Sequence, residues 1–311
     1  MQCFVSQHFS IETMVAILSP GAVLAIGLGL VGFDLRRQGS VRRAKNVQRF
    51  LSHFGAAPAV HAAVWTDMQT ADSDESRVGA EAGDKVEHLL MAAHFLKCYP
   101  KGNQSEATLK LCDKTIQKWV NAYLKKLQGS KSQKILWPAS WRSKFTLAVD
   151  GVHCRVFEPS HGRCSKNPAC CSHKFKQAAL DYEIALSIFD NQRVWVNGPF
   201  PAGKNDMSVF RARNGLKEKM VATNSGFGIA DLGCRGEPEL LRTPNSHDVP
   251  LVRELKSRAL ARHEKFNGQL KNFSCLSETF RHGLEMHQVC FDSVVVICQC
   301  ELENGSPLNV V

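Results

Sequence analysis

The sequence lacks the motifs of several common enzyme classes. It has no Gly-x-Ser-x-Gly nucleophile elbow, and His153 and Cys154 are adjacent, so they would point in opposite directions along a strand. It also has no Gly-x-x-x-x-Gly-Lys-Ser/Thr loop, which argues against a nucleoside triphosphatase. No nucleophile or phosphate-loop system therefore competes with the acidic residues considered below.

Regular cysteine spacing and a clear secretory signal are also lacking. The 12 cysteines favour reduced thiols in a cytosolic or nuclear compartment. One segment, 161–173, is rich in histidine and cysteine, and its candidate zinc ligands are Cys164, Cys170, Cys171 and His173. Because it contains adjacent cysteines but no Cys-x-x-Cys pair, a reduced and partly exposed loop is favoured over a zinc site.

Basic residues outnumber acidic ones, giving a net charge of +10. Residues 72–86, by contrast, contain more acidic than basic residues and lack apolar periodicity, which predicts an acidic linker. The remaining chain is correspondingly more basic, and such excess raises the affinity for phosphate backbones in a salt-dependent way. The basic run 36–45 is either a nuclear-import patch or, more commonly, a charged surface.

Residues 14–33 are uncharged and long enough to cross a bilayer. Pro20 and several glycines weaken this segment as a helix, although membrane helices tolerate such residues better than soluble ones. A loosely packed apolar segment, or a wrongly predicted start of the chain, is favoured over membrane association through 14–33.

Two aspartates end short apolar runs and are hard to explain as surface residues. Asp150 closes the run 145–150 before Gly151, and Asp231 closes the run 228–231 before Leu232 and Gly233. A buried unpaired carboxylate is costly and normally shifts its pKa or binds a cation. On neighbouring strands, these two residues would place two carboxylates side by side.

Two further acids are ambiguous taken singly. Asp206 precedes a predicted helix over 207–220, so an N-cap and a metal ligand are equally supported. Glu264 lies opposite the apolar stripe of a predicted helix over 251–273. Considered alone, Glu264 is better explained as an exposed carboxylate that pairs with Lys271 or Arg262.

The order of predicted elements indicates an α/β domain. A hairpin of strands 182–190 and 193–196, turning at 191–192, follows the Asp150 strand. The helix over 207–220, the Asp231 strand and the Glu264 helix come next.

Three helical patterns, 87–97, 105–111 and 113–127, precede this domain. The third begins at Asp113, a candidate N-cap, and its apolar face consists of Ile116, Val120, Tyr123 and Leu127. Another face carries Lys114, Lys118, Asn121 and Lys125. These four residues are candidate DNA contacts of a helix-turn-helix, although an ordinary amphipathic helix is the preferred interpretation without further context.

Four segments together resemble the DDE transposase-like nucleases related to Harbinger elements, over residues 87–307. They are Val-Asp150-Gly-Val-His-Cys-Arg-Val, Trp-Val-Asn-Gly-Pro-Phe-Pro-Ala-Gly-Lys-Asn-Asp206, Ala-Asp231-Leu-Gly-Cys-Arg-Gly-Glu-Pro and Arg-His-Glu264-Lys-Phe-Asn-Gly-Gln-Leu-Lys. The resemblance implies a ribonuclease H-like catalytic domain preceded by a small all-α helix-turn-helix region. It also implies that Asp150, Asp206, Asp231 and Glu264 hold a divalent cation, Mg²⁺ or Mn²⁺.

Within that set, Asp150, Asp231 and Glu264 are the expected catalytic core, and Asp206 is an additional ligand or an N-cap. Two positions depart from the family pattern, since Cys234 stands where tyrosine is usual and Val152 where threonine is usual. Neither change removes a carboxylate.

The expected function is metal-dependent cleavage of DNA by a nuclear endonuclease of transposase origin, with a cytoplasmic location as the alternative. A separate Myb-like DNA-binding protein and a second copy of the chain are the partners to expect. A catalytically inactive DNA- or partner-binding protein and a membrane-anchored derivative are the alternatives. The expected organisation is an apolar segment 1–34, a basic helical segment 35–71, the linker 72–86, the helix-turn-helix-like region 87–140 and the nuclease domain 141–307.

Overall fold

The computed structural model of the protein describes residues 18–33, 40–72, 84–141, 143–158, 165, 167–190, 192–305 and 308. The helices are α1 (Pro20–Leu30), α2 (Ser40–Phe54), α3 (Pro58–Asp72), α4 (Val86–Cys98), α5 (Gly102–Leu109), α6 (Asp113–Gly129), α7 (Lys131–Lys134), α8 (Asp206–Phe210), α9 (Leu216–Thr223), α10 (Pro250–Lys271), α11 (Ser274–Ser277) and α12 (Leu284–Glu303). The strands are β1 (Phe145–Arg155), β2 (Cys171–Ser172), β3 (Gln177–Ser187), β4 (Arg193–Pro201), β5 (Phe227–Ala230) and β6 (Leu241–Arg242).

The strands form one mixed sheet in the order β4–β3–β1–β5–β6, and the short β2 also pairs with β3. β3 is antiparallel to both β1 and β4, whereas β5 and β6 continue the sheet in parallel with β1. This arrangement confirms the predicted mixed α/β class. In the parallel pair, Val149 lies opposite Ala230, so Asp150 and Asp231 directly follow the last paired residues.

Helices cover both faces of the sheet. One face packs against α8 and α9 through Val149, Ala185, Phe210 and Met220. The opposite face packs against α10, and it also contributes Val152, Tyr182 and Ile184 to the largest core. Most of β3 is therefore buried on both faces.

The helical region and the sheet share that largest core. Residues of α6 such as Val120 and Leu124 pack in it with Val294 and Ile297 of α12. α12 is buried along most of its length, and the ring of its Phe291 stacks on Tyr182 of β3 with centroids 3.6 Å apart. The helices upstream of the sheet thus pack around an element from the end of the predicted nuclease segment.

Two predicted strand boundaries are wrong. β1 does not stop at Gly151 but continues to Arg155, because pairing with β3 extends beyond the end of pairing with β5. The hairpin has no two-residue turn at 191–192. Instead β3 ends at Ser187 and β4 begins at Arg193, and the Ser187 amide donates to the Gln192 carbonyl across the connection.

The helix predicted over 207–220 is also wrong as a single element. It is divided into α8 and α9 by residues 211–215, where Asn214 adopts a left-handed φ of 55°. The expected caps differ as well. Asn205, not Asp206, caps α8 by accepting from the Ser208 amide at 2.8 Å, and Asp113 is the first residue of α6 rather than its N-cap.

In the apolar N-terminal segment, α1 has 11 residues, and positions 14–17 lie outside the described residues. α1 contributes Val23 and Leu28 to a small core with Phe50 and Phe54 of α2. Across the described parts of the chain, no helix combines the length and the apolar character needed to cross a membrane. Most of the predicted linker, residues 73–83, also lies outside the described residues.

We expect Phe291→Ala to lower the free energy of unfolding by about 4 kcal/mol, because it removes a fully buried ring that joins α12 to β3. Urea unfolding followed by circular dichroism measures this change. The matched control is Phe157→Ala, since the Phe157 side chain is 61% exposed and its removal should cost less than about 0.5 kcal/mol. Equal costs for the two variants would contradict the shared core.

Candidate metal centre

Asp206 lies near both Asp150, with which it lines a small cleft, and Asp231, whose carboxylate is beside its own. Asp150 lies on β1 at the point where its pairing with β5 ends, and Asp231 follows β5 directly. Parallel strands place their carboxyl ends at the same edge of a sheet, which explains why two residues 81 positions apart lie at one edge. The Asp231 carboxylate accepts from the Gly233 amide at 2.9 Å, which fixes the turn after β5.

Asp206 reaches this cleft from the first turn of α8. One carboxylate oxygen of Asp206, one of Asp231 and the Cys234 sulfur all lie within 4.8 Å of one another. Since Asn205 provides the helix cap, the Asp206 side chain is left to face the other acids. Asp206 therefore belongs to the cluster of carboxylates, and the N-cap interpretation is wrong.

Two glycines allow the acids to approach so closely. A Cβ atom on Gly233 would lie 2.7 Å from Oδ2 of Asp206 and 3.1 Å from Oδ1 of Asp231. A Cβ atom on Gly151 would lie 3.0 Å from Oδ1 of Asp181. The glycines that follow the two aspartates in sequence therefore provide space for neighbouring carboxylates, which gives the Asp-Gly and Asp-Leu-Gly patterns a physical role.

Two acids of β3, Asp181 and Glu183, line the same cleft and were not predicted. They alternate with the apolar residues Leu180, Tyr182 and Ile184, a pattern that normally indicates a solvent-facing side of a strand. In the folded protein both are buried, because α8 and α9 cover that face. The only sequence signal for them was the apolar helical segment 207–220, which had to pack somewhere on the sheet.

The pKa values of these acids reflect burial and mutual repulsion. Burial, followed by the charges of Asp206 and Asp150, raises the pKa of Asp181 to about 7. Burial also raises the pKa of Glu183 to about 7, although the Trp195 indole N–H donates to its carboxylate at 2.9 Å and opposes the shift. The pKa of Asp206 is raised by burial and by the charges of Asp231 and Asp150.

The protein provides little positive charge to offset this cluster. Among the described residues, no lysine or arginine forms an ion pair with Asp150, Asp181, Asp206 or Asp231. Oδ1 of Asp181 is buried without a hydrogen-bond partner, and its nearest basic group is Nε2 of His153 at 3.7 Å. A buried carboxylate oxygen without a hydrogen-bond partner, beside several other carboxylates, suits a hard divalent cation.

Residues of α10 hold Asp150 from the other side. The Asn267 side-chain amide donates to Oδ2 of Asp150 at 2.9 Å, and Nδ1 of His263 lies 3.8 Å from the same oxygen. Nε2 of His263 contacts the Ile184 carbonyl at 3.2 Å, which requires the proton on that nitrogen. The unprotonated Nδ1 therefore faces Asp150, and burial keeps the pKa of His263 low.

Glu264 follows His263 on α10 but is exposed and lies outside this network. Within the described residues its carboxylate has neither a hydrogen bond nor an ion pair. Pairing with Lys271 or Arg262 is wrong, because the Lys271 ammonium donates to the His153 and Leu276 carbonyls and the Arg262 guanidinium donates to the Asp190 carbonyl. The structure thus groups three of the four expected acids and leaves Glu264 beside them on the helix that contacts Asp150.

Cys234 is buried beside Asp206 and Asp231. Burial and the surrounding carboxylates raise the pKa of its thiol well above the ordinary range. The thiol therefore stays protonated near neutral pH. It fills space next to the cleft without adding negative charge.

The histidine- and cysteine-rich segment is only partly described. Cys170 is disulfide-bonded, so the expectation of a reduced thiol is wrong at that position and its sulfur is not available to zinc. Cys171 and His173 are exposed, and Cys164 lies outside the described residues.

The candidate DNA-contacting side chains on α6, Lys114, Lys118, Asn121 and Lys125, are all exposed. The opposite face is buried through Ile116, Val120, Tyr123 and Leu127, as predicted. The structure therefore leaves the basic face of α6 open to a partner.

No family model, curated protein or solved structure matches this chain.

We expect Asp181→Asn to stabilise the metal-free protein at pH 8 by about 2 kcal/mol. The folded-state pKa of Asp181, about 7, lies above the unfolded value of about 3.9. Its contribution to stability is therefore complete below about pH 4 and is lost as the pH rises through 7. The neutral amide avoids that loss, so the difference between variant and wild type should shrink at pH 5.

Urea unfolding in the presence of a chelator measures both values. Glu239→Gln, at an exposed position, makes the same change in charge and should leave stability unchanged at either pH. Destabilisation by Asp181→Asn at pH 8 would show that the ionised Asp181 carboxylate does not lower the stability of the folded protein.

Proposed function

We propose that this protein is a metal-dependent DNA endonuclease of transposase origin. The observation that carries the proposal is the convergence of Asp150, Asp206 and Asp231, with no lysine or arginine paired to them among the described residues. Maintaining several carboxylates together is costly unless a cation binds between them. Their convergence at the ends of β1 and β5 supports a site for chemistry rather than a structural ion pair.

The strand order supports a ribonuclease H-like fold for the sheet domain. In that topology the first and fourth long strands are neighbours, as β1 and β5 are here, and three antiparallel strands precede the parallel ones. The fold places acids of these two strands together, which agrees with the positions of Asp150 and Asp231. The sequence resemblance to Harbinger-related DDE nucleases supports the same assignment.

Asp150, Asp206 and Asp231 would hold Mg²⁺ or Mn²⁺, since both cations prefer oxygen ligands. The bound cation would activate water or a 3′-hydroxyl and would neutralise charge that develops on the phosphoryl group. The residues of the chain prepare this arrangement. Asn267 and the backbone amide of Gly151 orient the Asp150 carboxylate, and the Gly233 amide orients that of Asp231.

Glu264 is proposed as the fourth acidic residue of the site. It lies one residue beyond His263, whose Nδ1 is 3.8 Å from Asp150, and its exposed side chain has room to rotate. Its carboxylate would therefore join the site from the solvent side when DNA and cation bind. Asp181 and Glu183 lie deeper in the cleft and would adjust the proton content of the site rather than contact DNA.

The exposed residues Lys114, Lys118, Asn121 and Lys125 support a role for α6 in binding DNA. A helix-turn-helix uses such a face in the major groove, and its lysines also meet phosphates. The net charge of +10 adds a salt-dependent attraction to the DNA backbone. We propose DNA as the partner, with a nuclear location, action on paired DNA ends as a dimer, and assistance from a separate Myb-like protein.

A DNA- or partner-binding protein without catalysis is the second candidate. The observation that favours it is the buried Cys234 thiol, which lies within 4.8 Å of a carboxylate oxygen of Asp206 and of Asp231. A protonated thiol there is a poor ligand for Mg²⁺ and takes up space near the cation. DNA binding without cleavage in either Mg²⁺ or Mn²⁺ would identify this second function.

We expect the wild-type protein to nick supercoiled plasmid in Mg²⁺ or Mn²⁺, and a chelator to abolish nicking. Asp150→Asn and Asp231→Asn should each lower the rate at least about 100-fold, because each removes a negatively charged metal ligand while preserving side-chain shape. Glu264→Gln should also lower it strongly. Conversion of supercoiled to open-circular plasmid on agarose gels measures these rates.

Glu254→Gln is the matched control for Glu264→Gln. Both residues are exposed glutamates of α10, but Glu254 forms an ion pair with Arg258 in the same helix and should not affect nicking. If Asp150→Asn nicks plasmid at the same rate as the wild type, the proposed site is wrong. Loss of nicking in Asp150→Asn but not in Glu264→Gln would restrict the catalytic set to the three aspartates.

A further inference from the structure

A second group of metal-ligating side chains lies outside the acidic cleft, in the helical region. It consists of His53 at the end of α2 and of His94 and Cys98 on α4. One ligand atom of each residue lies within 4.8 Å of the others. His94 and Cys98 share a face of α4 because they are four residues apart.

The hydrogen bond of His94 leaves one nitrogen suited to a metal. Its Nδ1 lies 3.2 Å from the backbone carbonyl of His53, and because a carbonyl only accepts, Nδ1 carries the proton. With the proton on Nδ1, Nε2 of the neutral ring keeps a lone pair that can bind a metal. An N–H to carbonyl bond of this kind orients metal-binding histidines in proteins.

His53 contributes a buried polar atom whose interactions are not satisfied. Within the described structure, its Nδ1 is inaccessible to solvent and has no hydrogen-bond partner. Such an atom costs about 1–3 kcal/mol. The His53 ring lies nearly parallel to that of His94, with centroids 5.6 Å apart.

The Cys98 sulfur lies where two helices end. It is 3.6 Å from the carbonyl oxygens of both Ser52 and His53, close to the C-terminus of α2, and Cys98 is itself the last residue of α4. Carbonyl oxygens at helix C-termini carry partial negative charge, which favours a cation.

Two positively charged residues lie near this cluster and oppose a cation. The Lys97 ammonium donates to the Asn272 carbonyl at 2.6 Å, and the Arg49 guanidinium lies over the Phe33 ring. Both charges are thus engaged by groups other than the three ligands.

We propose that His53, His94 and Cys98 bind Zn²⁺, with water in the fourth position. Two imidazole nitrogens and one thiolate suit zinc, whereas Mg²⁺ and Ca²⁺ prefer oxygen. Tetrahedral zinc places its ligand atoms about 3.5 Å apart. The three ligand atoms lie within 4.8 Å of one another, so they would move closer by about 1 Å on binding. His53 and Cys98 are only partly buried, which gives both side chains room for that movement.

Bound zinc would fasten α2 to α4. α2 carries Arg42, Arg43, Lys45 and Arg49, and α4 packs against α6, which carries the exposed lysines. The ion would therefore hold α2 in place against α4 and, because α4 packs against α6, limit movement between the basic helices α2 and α6. It would act through folding and not through the acidic cleft.

The test uses the full-length protein loaded with Co²⁺ and, separately, with Zn²⁺. We expect wild type to show thiolate-to-cobalt charge-transfer absorption at one Co²⁺ per chain and to gain thermal stability with Zn²⁺. Cys98→Ser should abolish the absorption and weaken Zn²⁺ binding at least about 100-fold, and His53→Gln should weaken it comparably. Circular dichroism verifies that both variants are folded.

Cys234→Ser is the matched control, because Cys234 is the thiol beside the acidic cluster. It should keep the cobalt–thiolate absorption of the wild type. Absorption that persists in Cys98→Ser, or that disappears in Cys234→Ser alone, would overturn the proposal. Equal stabilisation of wild type and Cys98→Ser by Zn²⁺ would overturn it as well.

Discussion

The site depends on one constraint, which is negative charge without a matching positive charge. This charge lies at the point where β1 and β5 stop pairing. The parallel register carries Asp150 and Asp231 to one edge, and α8 adds Asp206. Burial and repulsion between carboxylates act against folding at Asp181 and Asp206, as the raised pKa values of these two residues indicate. A divalent cation bound there would reverse the sign of that contribution, so the proposed metal binding would stabilise the fold.

The rest of the protein tolerates this cost because a large apolar core lies behind the sheet. α10 and α12 cover the face opposite α8 and α9, and Tyr182 and Phe291 stack where α12 meets β3. The acids are attached to this rigid support through β1, β3 and α10. Their relative positions are consequently set by backbone register and helix packing rather than by loops, which is the arrangement that precise metal coordination requires.

The sequence predicted those site residues whose neighbours in the chain indicate a role, and missed the others. Asp150 and Asp231 were identifiable because an acid that ends an apolar run has few structural explanations. Asp181 and Glu183 were missed because alternation with apolar residues is the pattern of a strand with a solvent face, and only the packing of α8 and α9 buries them. Asp206 was ambiguous because Asn205 and Asp206 are both good capping residues, and helix geometry alone decides between them.

The fold was likewise predictable only where local sequence patterns determine it. The order of strands and helices followed from hydrophobic patterns, whereas the extension of β1 beyond Gly151 depends on β3, a partner that local sequence does not identify. The role of α12 in holding the helical region was likewise invisible, since its contacts with α6 join residues more than 160 positions apart. Position on α10 also separates Glu264 from Asn267, which contacts Asp150 directly.

The most direct test of the central claim is anomalous scattering from crystals of the protein grown or soaked with Mn²⁺. The account predicts a strong anomalous peak between the carboxylates of Asp150, Asp206 and Asp231, which should be absent from crystals of Asp150→Asn treated in the same way. A wild-type cluster that stays free of Mn²⁺ at saturating concentration, with its acids protonated or paired to protein groups instead, would contradict the account.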